Sequence, residues 1–303
     1  QNESNHVGFE HCRLGNVRSP NTSVDDNLTF RFNDISGYNL DLQQSGNVAA
    51  ENIVIENNHL QDLNITNSSN IIVSDNQARQ LHFISDTIID IYKNKIIRKW
   101  SQNYDVKAAF LNESKNAVIK ENTINIINYR RSRGLEINNS KNILILNNDI
   151  SCYADSYWSR AIHIIGEDSR QIKVRENSII SSKAEVWSGP INKYGVYANK
   201  ADSIYITDNH IKGLNHDNKG VGIYLSDMAN EAIADSNTIE DFKTTGIHAK
   251  TTTNNWKIRH NTIDNVETQG IYIEGKGGIF SNNEIKNVTA GDGIHILASG
   301  VTV

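Results

Sequence analysis

Hydrophobic residues in this chain recur in short alternating runs rather than at helical spacing. Asn142-Ile-Leu-Ile-Leu sends successive side chains to opposite faces, and so do Gly134-Leu-Glu-Ile, Gly222-Ile-Tyr-Leu, Gly246-Ile-His-Ala, Gly270-Ile-Tyr-Ile and Gly293-Ile-His-Ile. A period of two is the mark of a strand with one buried face. Between the runs one phrase returns: an Asn, any residue, then a hydrophobic one. It begins at Asn33, Asn58, Asn76, Asn94, Asn122, Asn148, Asn177, Asn209, Asn237, Asn261 and Asn283, at intervals of 18 to 32 residues. The unit is fullest from Asn122 on, where Gly134-Leu-Glu-Ile-Asn, a turn, and the run from Asn142 to Ile150 form a template. Each unit predicts three short strands and three turns. No unit can bury its apolar face alone, so successive units must stack, which predicts an all-β solenoid.

These Gly-Ile-x-Ile and Asn-x-Ile phrases resemble the right-handed, single-stranded parallel β-helix of the pectin-lyase-like superfamily, over about residues 27–303. The resemblance implies that the recurring Asn sits in a tight turn and stacks into an internal ladder. It does not choose an activity, since that superfamily includes lyases, hydrolases, epimerases, esterases and phage tailspikes. A leucine-rich repeat would need Leu at fixed spacing and a propeller would need longer, four-stranded blades, and neither pattern is present. Eleven coils are expected, making a rod on the order of 50 Å long at about 4.8 Å per strand. Residues 1–26 read as a lead-in or partial coil before a β-helix domain at 27–303 that is truncated at its C-terminus. The chain begins at Gln1, stops at Val301-Thr-Val303 inside an expected second strand, and offers no amphipathic helix to cap the stack. A fragment of a larger protein, or a protomer whose ends partners cover, would fit that pattern. Cys12 and Cys152 fall some five coils apart, beyond disulfide reach, so free thiols are expected.

Composition adds a reason for the pattern and several exclusions. Asn and Ile each supply about 14% of the 303 residues, and Pro occurs only at positions 20 and 190. Ile packs well on a pleated surface, and Asn tolerates left-handed turns. A net charge of -5 and no basic run beyond Arg130, Arg131 and Arg133 argue against a nucleic-acid partner. No apolar stretch approaches the roughly 18 residues of a membrane-spanning helix. His and carboxylate spacings match no metal-ligand motif, so neither metal ligands nor a cofactor are expected, and a calcium ion held by loop Asp and backbone oxygens would leave no trace in spacing. The Asn-x-Ser/Thr sequons follow from Asn abundance and predict no glycosylation.

Alternation splits the first strand of each coil into inward and outward positions. The outward column reads Asp41, Asn64, His82, Phe110, Glu136, His163, Tyr197, Tyr224, His248, Tyr272 and His295. Flanking pairs such as Leu135 and Ile137, or Ile162 and Ile164, are expected in the core. A stripe of His and Tyr suits a polysaccharide, whose sugar faces stack on aromatic rings while hydroxyls meet polar tips. It equally suits plain cross-strand ladders that stabilise a sheet. The segments after Asn122, Asn148, Asn177 and Asn209 are long and read as loops walling one side of this face. They carry Arg133, Trp158, Arg160, Trp187, Lys193 and Tyr194. Long loops on a rigid scaffold are where function concentrates, although loops of this kind also pack on one another around their Trp residues.

For an acidic polysaccharide the simplest chemistry is β-elimination. A cation neutralises the uronate, a base takes the adjacent proton, and an acid protonates the departing oxygen. Arg133 or Arg160 would neutralise, His163 or Tyr197 would abstract, and Tyr224 or Tyr197 would protonate, with Trp158, Trp187, Tyr194, Tyr224, His248 and Tyr272 binding substrate. Glycoside hydrolysis needs two carboxylates instead. Glu136 supplies one, and Asp155, Asp168, Glu185 or Asp217 would have to supply the other. Motifs of the alginate epimerases, pectate lyases and polygalacturonases are absent, so no catalytic residue carries over from them. The readings are an extracellular polysaccharide lyase or hydrolase, secreted or part of a homotrimeric virion spike, a non-catalytic glycan-binding adhesin or tailspike shaft, and a structural rod.

Overall fold

The computed structural model describes residues 7–15, 17–18, 27–43, 50–99, 105–128, 130–154, 157–183, 191–214, 220–227, 231–250, 255–297 and 299–302, and the structural statements below concern these. Strands pair in parallel with the strands one turn away, and one face is a continuous twelve-stranded sheet from Val7–Glu10 to Ile279–Ser281. Its first pairing joins Val7–Glu10 to Leu28–Arg31, so the stack takes in residues ahead of position 27. About nine complete turns result, against the eleven counted from asparagines, and the ends are incomplete, with Val17–Arg18 and Glu284–Ile285 only two residues long.

Three separate strands per turn hold from Thr87–Tyr92 onward. In the earlier turns the third strand runs unbroken into the next first strand, as in His59–Thr66 and Gln77–Ile84, since no loop interrupts them. Inward Ile, Leu and Val side chains fill the tube; Leu135, Ile137, Ile145, Ile150, Ile162 and Ile164 are all 0% exposed. Burying each such side chain stabilises by about 1.5–3 kcal/mol.

Two polar ladders run through this apolar interior. At one corner the Oδ1 of Asn148 accepts from the backbone N–H and Nδ2 of Asn122, at 3.0 Å each, while Asn148 repeats both bonds to Asn177 at 2.9 Å. Its Nδ2 also donates to the carbonyls of Ile119 and Leu146. The left-handed step of this turn belongs to the residue before the ladder Asn, including Lys93, Glu121 and Glu176, each with φ of 55–56°. The ladder side chain thus points inward while its neighbour turns out into solvent, where long polar chains are tolerated. At a second corner Ser114 N–H donates to Ser140 Oγ and Ser140 N–H to Ser169 Oγ. Asp86 replaces serine in this second ladder, taking bonds from the N–H groups of Ser68 and Ile84.

Glycine in the Gly-Ile-x-Ile phrase has a packing cause. A Cβ on Gly222 would lie 2.6 Å from the carbonyl oxygen of Gly246 in the next coil and 2.4 Å from Ile239 Cγ2. Small residues recur here because the strand bends over the coil below.

Candidate active site

That bend places two consecutive residues inward and brings both flanking side chains onto the outer face. Gly134 and Leu135 are buried between Arg133 and Glu136, Ala161 and Ile162 between Arg160 and His163, and Gly195 and Val196 between Tyr194 and Tyr197. Two outward columns result. One runs Lys107, Arg133, Arg160, Tyr194, Val221, Thr245, Gln269 and Asp292. The other runs from Asp41 to His295 in the order that alternation predicts.

The segments expected to be loops are partly strands. Arg131–Asn138, Tyr157–Ile165 and Ile191–Asn199 begin early and pair with one another, Arg133 opposite Arg160 and Arg160 opposite Tyr194. Their backbone groups are satisfied by this ladder, so these polar stretches need no hydrophobic alternation to be extended. Arg133, Trp158, Arg160 and Tyr194 consequently stand on rigid strands. Lys193 points the other way, is buried, and donates to the Leu214 carbonyl at 2.9 Å. Trp187, Asp155, Glu185 and Asp217 lie outside the described residues.

Glu136, only 1% exposed, is the centre of the cluster. Lys107 Nζ lies 2.6 Å from its Oε1, and Arg133 Nη1 and His163 Nδ1 donate to its Oε2, the latter at 2.8 Å. Burial raises the carboxyl pKa, but the His163 hydrogen bond and the Arg133 and Lys107 charges outweigh it and hold the group at about 2. Arg133 reaches onward to Asp105 Oδ2 at 2.6 Å. Lys107 and Asp105 escaped the sequence reading because pairing across coils, not sequence spacing, unites them with Glu136.

Because an ionised carboxylate only accepts, His163 carries its proton on Nδ1, and Nε2 presents a lone pair. Arg160 Nη1 donates to that nitrogen at 2.7 Å. Burial depresses the His163 pKa, Glu136 opposes the shift, Arg160 reinforces it, and the result is about 4. The imidazole is neutral at neutral pH.

Arg160 is gripped by rings, its guanidinium 4.3 Å over Trp158 and 3.8 Å over Tyr197. No carboxylate lies within ion-pairing distance of it among the described residues, and its Nε–H is buried with no hydrogen-bond partner. Glu136 pairs with Lys107 and Arg133, and Asp105 with Arg133, which leaves Arg160 without a paired carboxylate among the described residues. Burial holds the Tyr197 and Tyr194 phenols above the usual range, with Arg160 pulling the other way. Past Tyr197 the aromatic column continues in unbroken contact: Tyr224 stacks at 5.1 Å, then His248, Tyr272 and His295 follow at 4.9, 4.7 and 5.3 Å. Asp168 belongs elsewhere, 3.4 Å from Lys141 and largely exposed.

A family model described as right handed beta helix region matches residues 159–303. Together with the parallel stacking and the Asn ladder, that settles the architecture. The fold is a right-handed parallel β-helix. No curated protein sequence matches this β-helix. Among solved structures it is similar to the A-module of a mannuronan C-5 epimerase from Azotobacter vinelandii, with 11% identity and a TM-score of 0.49 over 98% of this chain and 90% of that one. It is also similar to the catalytic domain of an α-1,3-glucanase in complex with nigerose, at 11% identity and a TM-score of 0.48, over 98% of this chain and 63% of that one. A tailspike protein, Dettilon gp208, aligns at 10% identity and a TM-score of 0.40 over 96% of this chain and 61% of that one. At such identities the chemistry of this β-helix has to be argued from its own residues. The described residues hold no group of three or more His, Cys, Asp or Glu arranged around a common metal position, no helix is long and apolar enough to cross a membrane, and Cys12 and Cys152 are free thiols.

Proposed function

We propose that this face binds an acidic polysaccharide outside the cell and cleaves it by β-elimination at Arg160. One observation carries the reading: a half-buried arginine that has no carboxylate partner among the described residues, held between two aromatic rings and hydrogen-bonded to a neutral histidine. A substrate uronate pairing with Arg160 would gain a charge-assisted, two-point contact and acidify the C–H beside the carboxylate. As Arg160 turns its Nη1 onto that carboxylate, His163 Nε2 is released to take the proton. Glu136 stabilises the imidazolium that forms. The carbon–hydrogen electrons become the new double bond, the glycosidic carbon–oxygen bond breaks, and the Tyr197 hydroxyl, kept protonated by burial, supplies the leaving oxygen with its proton. Hydrolysis is less suited to this site. Glu136, held ionised by His163, Arg133 and Lys107, is not the protonated acid such a reaction requires, and Asp105 is engaged by Arg133.

A binding-only role has one observation in its favour, since His163 is 2% exposed and its Nε2 is occupied by Arg160. Incubation with acidic polysaccharides separates the readings, following unsaturated uronate by ultraviolet absorbance alongside reducing ends. Elimination raises both signals, and Tyr197→Phe lowers both together. Reducing ends without absorbance would establish hydrolysis, and tight binding with neither signal would establish an adhesin.

A further inference from the structure

Positive charge in the column beside the aromatic rings is confined to its rows from Lys107 to Arg160. Lys107, Arg133 and Arg160 occupy three successive rows of one column, and the next rows of that column are Tyr194, Val221, Thr245 and Gln269, all uncharged. The column then ends in Asp292. Beside the aromatic rings the sign reverses. Asp227 stands exposed at the turn after Gly220–Ser226, Glu274 Oε1 lies 3.8 Å from His248 Nε2, and Asp292 lies 2.8 Å from His295 Nδ1. Of the lysines on this stretch, Lys250 has Glu274 3.9 Å away and Lys200 has Glu167 3.6 Å away, while Lys276 is exposed two residues beyond Glu274.

A ligand chain laid along the rod thus meets cations with no carboxylate partner among the described residues, Arg98, Arg131 and Arg160, toward one side of the face and, within about 14 Å of Arg160 at three strand spacings, a surface of rings edged with carboxylates. A polymer with a carboxylate on every sugar would set successive charges against Asp227, Glu274 and Asp292, and like charges at such distances repel. A chain of neutral sugars would leave Arg160 unpaired. The arrangement matches a ligand with one carboxylate followed by several uncharged residues, whose faces stack on Tyr197, Tyr224, His248 and Tyr272.

Resting on the acidic-polysaccharide reading, we infer that the substrate class is a heteropolysaccharide in which single uronates are separated by neutral sugars. Homopolymeric uronans are excluded from the stretch beyond Tyr224 by its acidic edge.

Titration calorimetry on the intact chain tests this with length-matched oligosaccharides of two classes. Polygalacturonate and polymannuronate fragments represent the first; fragments of deacylated gellan and other linear polymers with one uronate per repeat represent the second. The tightest heteropolysaccharide is expected to bind at least tenfold better than either uronan. The triple variant Asp227→Asn, Glu274→Gln, Asp292→Asn, altered only at half-buried or exposed positions, is expected to erase most of that margin by gaining affinity for the uronans. A uronan that binds wild type as tightly as the best heteropolysaccharide, or a triple variant with unchanged preference, overturns the inference while leaving the acidic-glycan reading standing. Binding of neutral polymers alone, or of no polymer in either class, overturns both.

Discussion

Arg160 and His163 form a pair whose protonation decides what the site can do. The imidazole is held neutral by burial, and the Nε2 lone pair that accepts from Arg160 exists only while it stays so. Cleavage is therefore expected to be lost as pH falls through about 4, the value to which His163 is depressed, with kcat/KM tracking one proton. A limb at the ordinary histidine value would place the base elsewhere. Glu136 is the other decisive residue. Glu136→Gln leaves Lys107 and Arg133 without their shared carboxylate in a buried setting, and breaking such a pair costs about 3–5 kcal/mol. Urea denaturation of that variant measures the loss. Much of this was legible beforehand: alternation alone put Glu136, His163 and Tyr197 on one outward line. What it missed was the parallel line through Lys107, Arg133 and Arg160. The small-apolar pair inside Arg-Gly-Leu-Glu, Arg-Ala-Ile-His and Tyr-Gly-Val-Tyr was the available sign, because two consecutive inward residues return both flanking side chains to the same face.

The elements owe their stacking to two corner ladders as much as to the core. An interior Asn such as Asn148 satisfies main-chain groups in two neighbouring strands, and an orphaned buried polar group costs about 1–3 kcal/mol. Asn148→Ala is expected to destabilise by several such groups, about 3 kcal/mol or more, whereas Asn283→Ala, at the partly buried end of the ladder, costs less. Equilibrium denaturation of both variants gives the comparison. The serine ladder holds a pH-dependent member. Burial pushes Asp86 up to about 7, against the lowering effect of the Ser68 and Ile84 N–H groups. A carboxyl whose folded pKa is raised contributes stability that is complete below its ordinary value of 3.8 and is lost as pH rises through about 7. Asp86→Ser, which restores the ladder's usual residue, is expected to flatten that decline and melt higher at pH 8. A parallel decline in both proteins would contradict it. The Asn ladder was readable from recurrence, since a polar residue that returns at one fixed place in every turn must meet the same backbone groups each time. The serine ladder hid in polar phrases, Glu113-Ser-Lys-Asn, Asn139-Ser-Lys-Asn and Asp168-Ser-Arg-Gln, that read as ordinary turn composition.

For the whole molecule, the rod geometry turns local side-chain choices into a directional surface: a cationic end at Lys107 to Arg160, then rings toward His295. The solenoid followed from the sequence because repetition constrains stacking strongly, while strand beginnings did not, because residues extended only by main-chain pairing carry no hydrophobic pattern. The outward face was legible as a surface and the cluster on it less so, since the cluster depends on which charge each neighbour neutralises. The central claim is that Arg160 reads a carboxylate on a sugar chain. The most direct measurement compares the affinity of wild type and Arg160→Gln for a uronate-bearing polysaccharide and for the same polymer with its carboxyl groups chemically reduced. Wild type should lose at least tenfold in affinity on reduction of the polymer, and Arg160→Gln should bind both forms equally weakly. Equal affinity of wild type for the two forms would contradict the account.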